Sequence, residues 1–175
     1  MTLFLIRHGE TAWNVEGRMQ GRRDSPLTAR GEAQARRIGQ IAAAERLAAL
    51  PCLCSPAGRA MRTARLAGLA PQPTPDLAEV GMGAWEGRLR AEITEVPGVE
   101  WKFAAPGGEG EAAFRARLDR VLAAAPRPAV LVTHGMVLIG LRMAARGLGP
   151  DAWDALDDPQ GVVFRLDGAG ETVLR

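Results

Sequence analysis

Residues 3–11 read LFLIRHGET, an apolar run that ends abruptly on arginine, histidine and glycine. The run at 3–6 contains no polar side chain, which is typical of a strand buried on both faces of a parallel sheet. A second apolar run, AVLVT at 129–133, is also followed by a histidine and a glycine. Because ligands of open α/β sheets bind at the carboxyl ends of the strands, pairing of these two strands would bring His8 and His134 together.

Short apolar runs alternate with longer helical patterns along the whole chain, which favours an α/β fold. Further strands are predicted at Cys52–Cys54 and in a terminal hairpin joining 162–166 to 172–174, and the prolines at 71, 73 and 75 indicate a loop or a short edge strand. Helices are predicted from the cap Thr28 to about Leu50, from the cap Ser55 to about Gly68, over 109–125, and from Gly135 to Arg146. The acidic stretch 151–158 is interpreted as a solvated loop. We expect a single domain over residues 1–175, with three α/β/α layers around a mostly parallel sheet.

Composition excludes several classes of enzyme. The 175 residues carry 22 Lys+Arg against 20 Asp+Glu, and a net charge of +2 gives no support for a nucleic-acid partner. Lys102 is the one lysine and is followed by phenylalanine, so the chain has no P-loop of the Gly-Lys-Ser/Thr type. It has no tyrosine to act as a nucleophile and no His-Glu-x-x-His motif to bind zinc. Cys52 and Cys54 are expected to be reduced thiols in a strand, and we expect neither a metal nor another cofactor.

The two histidines occur in matching contexts, each after an apolar strand and before a glycine. A single histidine of this kind is most often a structural residue, but two of them, with no other histidine in the chain, favour a functional site. Arg7 adjoins His8, and Arg59 lies in the first turn of the helix predicted to follow Ser55. Guanidinium groups bind phosphate through paired hydrogen bonds, and helix N-termini attract anions, so the pattern favours an anion site.

Several blocks of the chain together resemble the histidine phosphatase superfamily, also called the phosphoglycerate mutase-like family. The first block is RHGET at 7–11, followed by Asn14. The others come in the family's order: PLTARGEAQA at 26–35, SPAGRAMRTA at 55–64, LAE at 77–79 with GAWEG at 83–87, PGGE at 106–109 and THG at 133–135. The resemblance covers about residues 3–140 and implies the family's phosphoglycerate mutase-like fold and a metal-independent phosphoryl-transfer enzyme.

The resemblance also implies roles for individual residues. His8 would attack phosphorus and become a phosphohistidine, while a hydrogen bond holds its other ring nitrogen. Arg7, Arg59 and His134 would surround the phosphoryl oxygens and stabilise charge in the transition state. Glu79 would protonate the leaving alcohol and then activate water. Further substrate contacts are expected from Asn14, Gln20 and Gly21.

The stretch after the Trp-Glu-Gly block distinguishes the family's reactions. The cofactor-dependent phosphoglycerate mutases are longer there and carry extra cationic substrate contacts, whereas this chain has only 88–105, with Arg88, Arg90 and Lys102 as its cations. The shortened stretch favours a phosphomonoester hydrolase with an open pocket, acting on a small phosphorylated metabolite such as α-ribazole phosphate or a sugar phosphate. A phosphoglycerate mutase is the alternative.

Two further classes of function remain open at this stage. The chain could be an inactive phosphate-binding module, although the joint presence of all the implied catalytic residues disfavours this. It could be a metal-dependent hydrolase, although its His and Cys residues lack metal-ligand spacing. Because no stretch reaches 18 apolar residues and no secretory signal is recognisable, we expect a cytoplasmic protein, monomer or homodimer, with no membrane partner.

Overall fold

The computed structural model describes residues 2–93 and 100–175. Within these residues six strands form one sheet: β1 Leu3–Arg7, β2 Cys52–Cys54, β3 Pro71–Pro73, β4 Ala129–Thr133, β5 Val163–Asp167 and β6 Gly170–Leu174. The α-helices of the same residues are α1 Ala12–Glu16, α2 Ala29–Ala44, α3 Gly58–Leu66, α4 Glu111–Ala124, α5 Gly135–Arg146 and α6 Ala152–Ala155. Short 3₁₀ helices lie at Leu47–Ala49, Pro75–Leu77, Gly83–Trp85, Arg90–Glu92 and Glu100–Ala104. In the described part of the chain, no helix combines the length and apolar character needed to cross a bilayer.

The strand order β3-β2-β4-β1-β5-β6 makes β1 and β4 neighbours at the centre of the sheet. The pairs β1–β4, β4–β2 and β2–β3 are parallel, and the predicted terminal hairpin, β5–β6, adds an antiparallel edge beside β1. Arg7 lies opposite Thr133 in the β1–β4 register. The two central strands therefore end at the same level, and the residues that follow them emerge side by side.

Helices cover both faces of the sheet, as the three-layer prediction requires. On one face Leu5 of β1 belongs to a buried cluster with Phe114 of α4 and with α5. On the other face Ile6 belongs to a second cluster, with Ile38 of α2 and with α3. Successive side chains of a strand point to opposite faces, so β1 stabilises both layers. The α/β/α prediction is confirmed.

Three details differ from the sequence prediction. α2 ends at Ala44 rather than near Leu50, because Arg46 takes a left-handed backbone conformation (φ +56°) before the next 3₁₀ turn. α3 begins at Gly58 with Ala57 as its N-cap, because the Ser55 amide still donates to the Val132 carbonyl (2.9 Å) and so extends β2.

The third difference concerns the acidic stretch 151–158, for which the sequence predicts a solvated loop. It contains the short helix α6, and Trp153 of this helix is 2% exposed. The Trp153 ring packs edge-on against Phe103 (5.7 Å between centroids) and beside Phe114 (6.1 Å). One aromatic side chain therefore fixes an otherwise polar stretch against the core.

Backbone contacts hold the N-terminus of α2 against the loop that follows β1. A Cβ on Gly31 would overlap the carbonyl oxygen of Glu10, and a Cβ on Gly9 would overlap that of Gly31. The Thr28 amide donates to the Glu10 carbonyl (2.9 Å), and the Thr28 hydroxyl caps α2 by accepting from the Gly31 amide (3.0 Å). Glycine is therefore required at both crossing points because backbone approaches backbone.

We expect Gly31→Ala to lower the free energy of unfolding by about 2 kcal/mol or more, since a backbone atom cannot move aside as a flexible side chain can. Urea denaturation followed by circular dichroism measures this quantity. Gly149→Ala is the matched control, because a Cβ on Gly149 would meet no atom within 4 Å. Equal stability of the two variants would contradict the close approach.

Candidate active site

The candidate site lies at the carboxyl ends of β1 and β4. The His8 amide donates to the Thr133 carbonyl (2.9 Å), which extends the β1–β4 ladder by one residue. The rings of His8 and His134 lie edge to face, with their centroids 5.1 Å apart. The convergence expected from the two strand endings is therefore present.

Hydrogen bonding determines which nitrogen of His8 carries its proton. The ring is 3% exposed, and its Nδ1 lies 2.8 Å from the Gly9 carbonyl oxygen. Because a carbonyl oxygen only accepts, Nδ1 is the protonated nitrogen and Nε2 holds the lone pair. Nε2 accepts from the Nε of Arg59 (3.2 Å). Burial, reinforced by the charges of Arg59 and Arg7, holds the pKa of His8 well below 6.5, so the ring is neutral.

His134 lies behind this ring and is completely buried. Its Nε2 lies 2.7 Å from the hydroxyl oxygen of Ser55, whereas its Nδ1 is buried and has no hydrogen-bond partner among the described residues. Burial, with the nearby charge of Arg59, also holds the pKa of His134 well below 6.5. The link to His134 gives the Ser55 hydroxyl a second contact besides the amide of Ala57 (3.3 Å).

Arg59 enters the site from the first turn of α3 and is 2% exposed. Its Nη1 donates to the Arg23 carbonyl (2.6 Å) and to the Asp24 carboxylate (3.0 Å), and its Nη2 donates to the Gly21 carbonyl (2.9 Å). Gly21 has a φ of +51°, and a side chain there would collide with Glu86. The loop after α1 thus folds tightly enough to hold a buried guanidinium.

Arg7 faces the same space from the end of β1. Its Nη1 donates to the backbone carbonyl of Asp158 (2.6 Å) and lies 2.8 Å from the Asp158 carboxylate, while its Nε is buried without a hydrogen-bond partner in the described residues. Asp158 belongs to the acidic stretch interpreted from sequence as solvated. Sequence reasoning missed both Asp158 and Asp24, the acidic partners of the two arginines.

Asn14 and Gln20 are held by the N-cap of α1. The Asn14 Oδ1 accepts from the Thr11 amide (3.0 Å) in a capping box, so the Asn14 amide group remains available to the cleft that it lines. Gln20 donates to the Thr11 hydroxyl (2.9 Å) and accepts from Ser25 (3.4 Å). Gln20 therefore braces the loop around the cleft as well as lining it.

Glu79 closes the site from the segment after the Pro75–Leu77 turn. Its carboxylate is partly buried and accepts from the Val80 amide (2.9 Å) and from the Met136 amide (3.3 Å). The Met136 amide is one of the free donors at the N-terminus of α5, where a carboxylate is favourably placed. Glu79 is thereby fixed over the same strand ends as the histidines.

These side chains surround a cleft of about 230 Å³. Seven of the eight predicted site residues line it: Arg7, His8, Asn14, Gln20, Gly21, Arg59 and Glu79. The eighth, His134, lies behind His8 and does not line it. In residues 2–93 and 100–175, no group of three or more His, Cys, Asp or Glu side chains is arranged to hold a metal ion. Cys52 and Cys54 are buried, free thiols of β2, as predicted.

The wall of the cleft carries two cations from the shortened stretch 88–105. Arg90 stacks over the Trp101 ring (4.6 Å to its centroid), and both Arg90 and Lys102 line the cleft. The Lys102 ammonium is 3.5 Å from the Met136 sulfur, and no carboxylate of the described residues lies within 4 Å of it. Burial lowers the pKa of Lys102, although Glu79 and Asp158 oppose the shift. The shortened stretch 88–105 therefore supplies two cations to the wall of the cleft, Arg90 and Lys102.

Comparison with known proteins agrees with this geometry. The family model described as histidine phosphatase superfamily (branch 1) matches residues 3–174. An acid phosphatase of Mycobacterium tuberculosis is 37% identical over 141 residues, which cover 76% of this chain and 70% of that protein. The Yersinia enterocolitica protein named "Probable phosphoglycerate mutase GpmB" is 35% identical over 171 residues, covering 87% and 78%.

Solved structures show the same relation over the full length. The crystal structure of phosphoglycerate mutase from Thermus thermophilus matches with a TM-score of 0.78 and 40% identity, covering 100% of this chain and 97% of that one. On its sequence blocks, its fold and these relatives, the chain belongs to the histidine phosphatase superfamily, branch 1.

Proposed function

We propose that this protein is a phosphomonoester hydrolase that acts through a phosphohistidine on a small phosphorylated metabolite. The observation that carries the proposal is the state of His8: a neutral imidazole that lines a cleft with two guanidinium groups. Its Nε2 lone pair accepts a hydrogen bond from Arg59, which would have to be given up for Nε2 to attack. An unprotonated imidazole is a nucleophile, and the arginines attract the dianion that it would attack.

In the first step His8 Nε2 would attack phosphorus in line with the ester oxygen. The P–O bond breaks as the P–N bond forms, and the leaving alcohol takes a proton from the carboxyl group of Glu79. In the second step water attacks the phosphohistidine, Glu79 takes a proton from that water, and the P–N bond breaks to release inorganic phosphate. The proton on His8 Nδ1 stays on that nitrogen throughout, hydrogen-bonded to the Gly9 carbonyl, so the ring returns to its starting state.

Positive and neutral donors would stabilise the charge that develops on the phosphoryl oxygens. Within residues 2–93 and 100–175, the buried Arg7 Nε has no hydrogen-bond partner. His134 lies behind His8 and does not line the cleft, so its contact with the phosphoryl group stays a prediction; its Nδ1 could carry a proton when Ser55 donates to Nε2. The amide of Asn14 adds a neutral donor. These groups are held before substrate arrives, so little reorganisation is needed during the reaction.

Phosphoglycerate mutase is the second candidate. The relative named as a probable mutase and the cations Arg90 and Lys102 on the cleft wall favour it, because a mutase must hold a second anionic group of its substrate. The shortness of 88–105 favours the hydrolase, since the cofactor-dependent mutases that the sequence resembles are longer there and carry extra cationic substrate contacts. The substrate, with α-ribazole phosphate and sugar phosphates as the first to be tried, remains a prediction, as do the monomeric or dimeric state, the lack of nucleic-acid and membrane partners, and the cytoplasmic location.

We expect metal-independent release of phosphate from at least one member of a panel of sugar phosphates, nucleotides, phosphoglycerates and α-ribazole phosphate. His8→Ala should lower turnover by at least about a thousandfold, because the nucleophile is lost. Brief reaction of the wild type with ³²P-labelled substrate should trap an acid-labile phosphate that the variant lacks.

Two further measurements decide the outcome of this panel. Excess chelator should leave the rate unchanged, and a rate that depends on added metal would contradict the phosphohistidine route. Isomerisation of phosphoglycerate that outpaces phosphate release when bisphosphoglycerate is added would assign the mutase reaction instead. Wild type that binds phosphate but turns over no ester would indicate a binding module.

Glu79→Gln should slow turnover by about a hundredfold to ten-thousandfold with an alkyl phosphate, whose leaving group needs a proton. The loss should be much smaller with an aryl phosphate such as p-nitrophenyl phosphate, whose leaving group departs as an anion, provided that the first step is measured by rapid quench. Glu45→Gln, at an exposed position, is the matched control. Equal losses on both substrates would reject the role of proton donor.

The histidine ring signals in an NMR titration should not move between pH 8 and pH 6.5, because burial keeps the pKa of both imidazoles well below 6.5. The chain has two histidines, so the His8→Ala variant assigns both signals. In urea, both rings of the unfolded chain should titrate with a midpoint at about pH 6.5. A midpoint at or above that value in the folded protein would contradict the lowered pKa, and a His8 midpoint above about 7 would leave the proposed nucleophile mostly protonated at neutral pH.

A further inference from the structure

Residues 157–160 contact two side chains of the cleft, Arg7 and Asn14. They overlap the end of the acidic stretch 151–158, for which the sequence predicts a solvated loop. Asp158 contacts Arg7, and Gln160 donates to the Asn14 Oδ1 (3.3 Å). Arg142 anchors this segment: its side chain is 2% exposed and donates to the Asp157 carbonyl. A buried arginine therefore fixes the backbone next to Asp158.

Arg142 is itself held by the β5–β6 hairpin. Its Nε and Nη2 both donate to the carboxylate of Glu171, at 2.9 and 2.6 Å. Such a two-point contact fixes the plane of a guanidinium as well as its position. The position of Asp158 is thus set by a chain of contacts that begins at the antiparallel edge of the sheet.

Among the described residues, the contacts of Arg7 involve one edge of its guanidinium and leave the other without a partner. Nη1 is taken by Asp158, through the backbone carbonyl at 2.6 Å and the carboxylate at 2.8 Å. Nε is buried without a partner, and Nη2 makes no hydrogen bond within the described residues. The N–H bonds of Nε and Nη2 lie side by side and form the fork that binds two oxygens of a phosphate.

Arg59 presents no such edge, although it faces the same cleft. Its Nε donates to His8, its Nη1 to Arg23 and Asp24, and its Nη2 to Gly21. Of the two arginines expected to bind the phosphoryl group, Arg7 is therefore the one whose Nε–Nη2 edge has no hydrogen-bond partner in the part of the chain that the structure describes.

Glycine at position 135 makes room for this arrangement. A Cβ on Gly135 would overlap the Asp158 carboxylate, and it would also lie 3.7 Å from the Arg7 guanidinium carbon. Because Gly135 has no side chain, the Asp158 carboxylate can lie beside the first turn of α5.

We propose that Asp158 is a positioning residue that holds Nη1 of Arg7, so that the Nε–Nη2 edge faces the phosphoryl group attacked by His8. The proposal rests on the proposed function, since it assigns Arg7 to the phosphoryl group. Asp158 lines the same cleft, and the role proposed for it is to act on the phosphoryl group through Arg7. A different role for the same carboxylate, repulsion of the incoming dianion, makes the opposite prediction.

The test compares Asp158→Ala with Asp158→Asn, because asparagine keeps an oxygen acceptor for Nη1 and loses the charge. Asp158→Ala should lower kcat/KM by about fivefold to tenfold, the size of one contact to a charged group at a half-exposed position. Asp158→Asn should stay within about twofold of the wild type, and Asp154→Ala, an exposed change in α6, should have no effect. Thermal unfolding of each variant checks that the fold is intact.

A double-mutant cycle shows whether Asp158 acts through Arg7. In an Arg7→Ala background, adding Asp158→Ala should change kcat/KM by less than about twofold. Equal losses in the alanine and asparagine variants, or an undiminished loss in the Arg7→Ala background, would overturn the proposal.

Calorimetric binding of inorganic phosphate separates this proposal from the proposed function. Asp158→Ala should weaken phosphate binding by about the same factor, and this holds even if the wild type hydrolyses no ester, in which case only the hydrolase assignment fails. Tighter phosphate binding by Asp158→Ala would show that the carboxylate repels the anion, and it would overturn the positioning role.

Discussion

The parallel pairing of β1 with β4 is the constraint on which the site depends. Its register places Arg7 opposite Thr133, and the His8 amide continues the ladder by donating to the Thr133 carbonyl. Because the side chains of a strand are fixed by the pleat, a slip of one residue would send one of the two histidines to the opposite face. Both faces are buried by helices, so any slip would also expose apolar side chains. The same hydrophobic pattern that fixes the sheet therefore fixes the distance between the two rings.

Burial of this kind determines the charge state of the whole site. Two imidazoles beside two guanidinium groups are tolerable only when the imidazoles are neutral, and desolvation with the arginine charges lowers the pKa of both. The guanidiniums cannot lose their protons, so they need partners instead. Arg59 finds an ion pair and two backbone carbonyls, and Arg7 finds Asp158. The negative charges that compensate the two guanidinium groups, Asp24 and Asp158, thus come from loop segments.

Sequence patterns predicted those site residues that directly follow a strand or lie in the first turn of a helix. His8 and His134 could be predicted because each directly follows a recognisable buried strand, and Arg59 because it lies in the first turn of a helix. Glu79 lies in an irregular segment, and only the family resemblance identified it. Asp158 is 151 residues from Arg7, and Asp24 is 35 residues from Arg59, so no local pattern joins them. The prediction of Ser55 as a helix cap is wrong because sequence alone does not show that its amide still belongs to the β2 ladder.

Family membership does not choose between hydrolysis and mutase chemistry. We infer that the reason is that different residues of the cleft hold the phosphoryl group and the rest of the substrate. In the proposed mechanism both reactions would begin with transfer of the phosphoryl group to His8, so the groups around phosphorus would serve either one equally. The reactions differ in what attacks the phosphohistidine, water or a hydroxyl of the bound substrate, and that choice belongs to the residues that hold the leaving group. Arg90 and Lys102 line the same cleft and are the residues that we propose for this task. On this proposal, substitution at these two positions would alter the reaction without any change at the strand ends or their histidines.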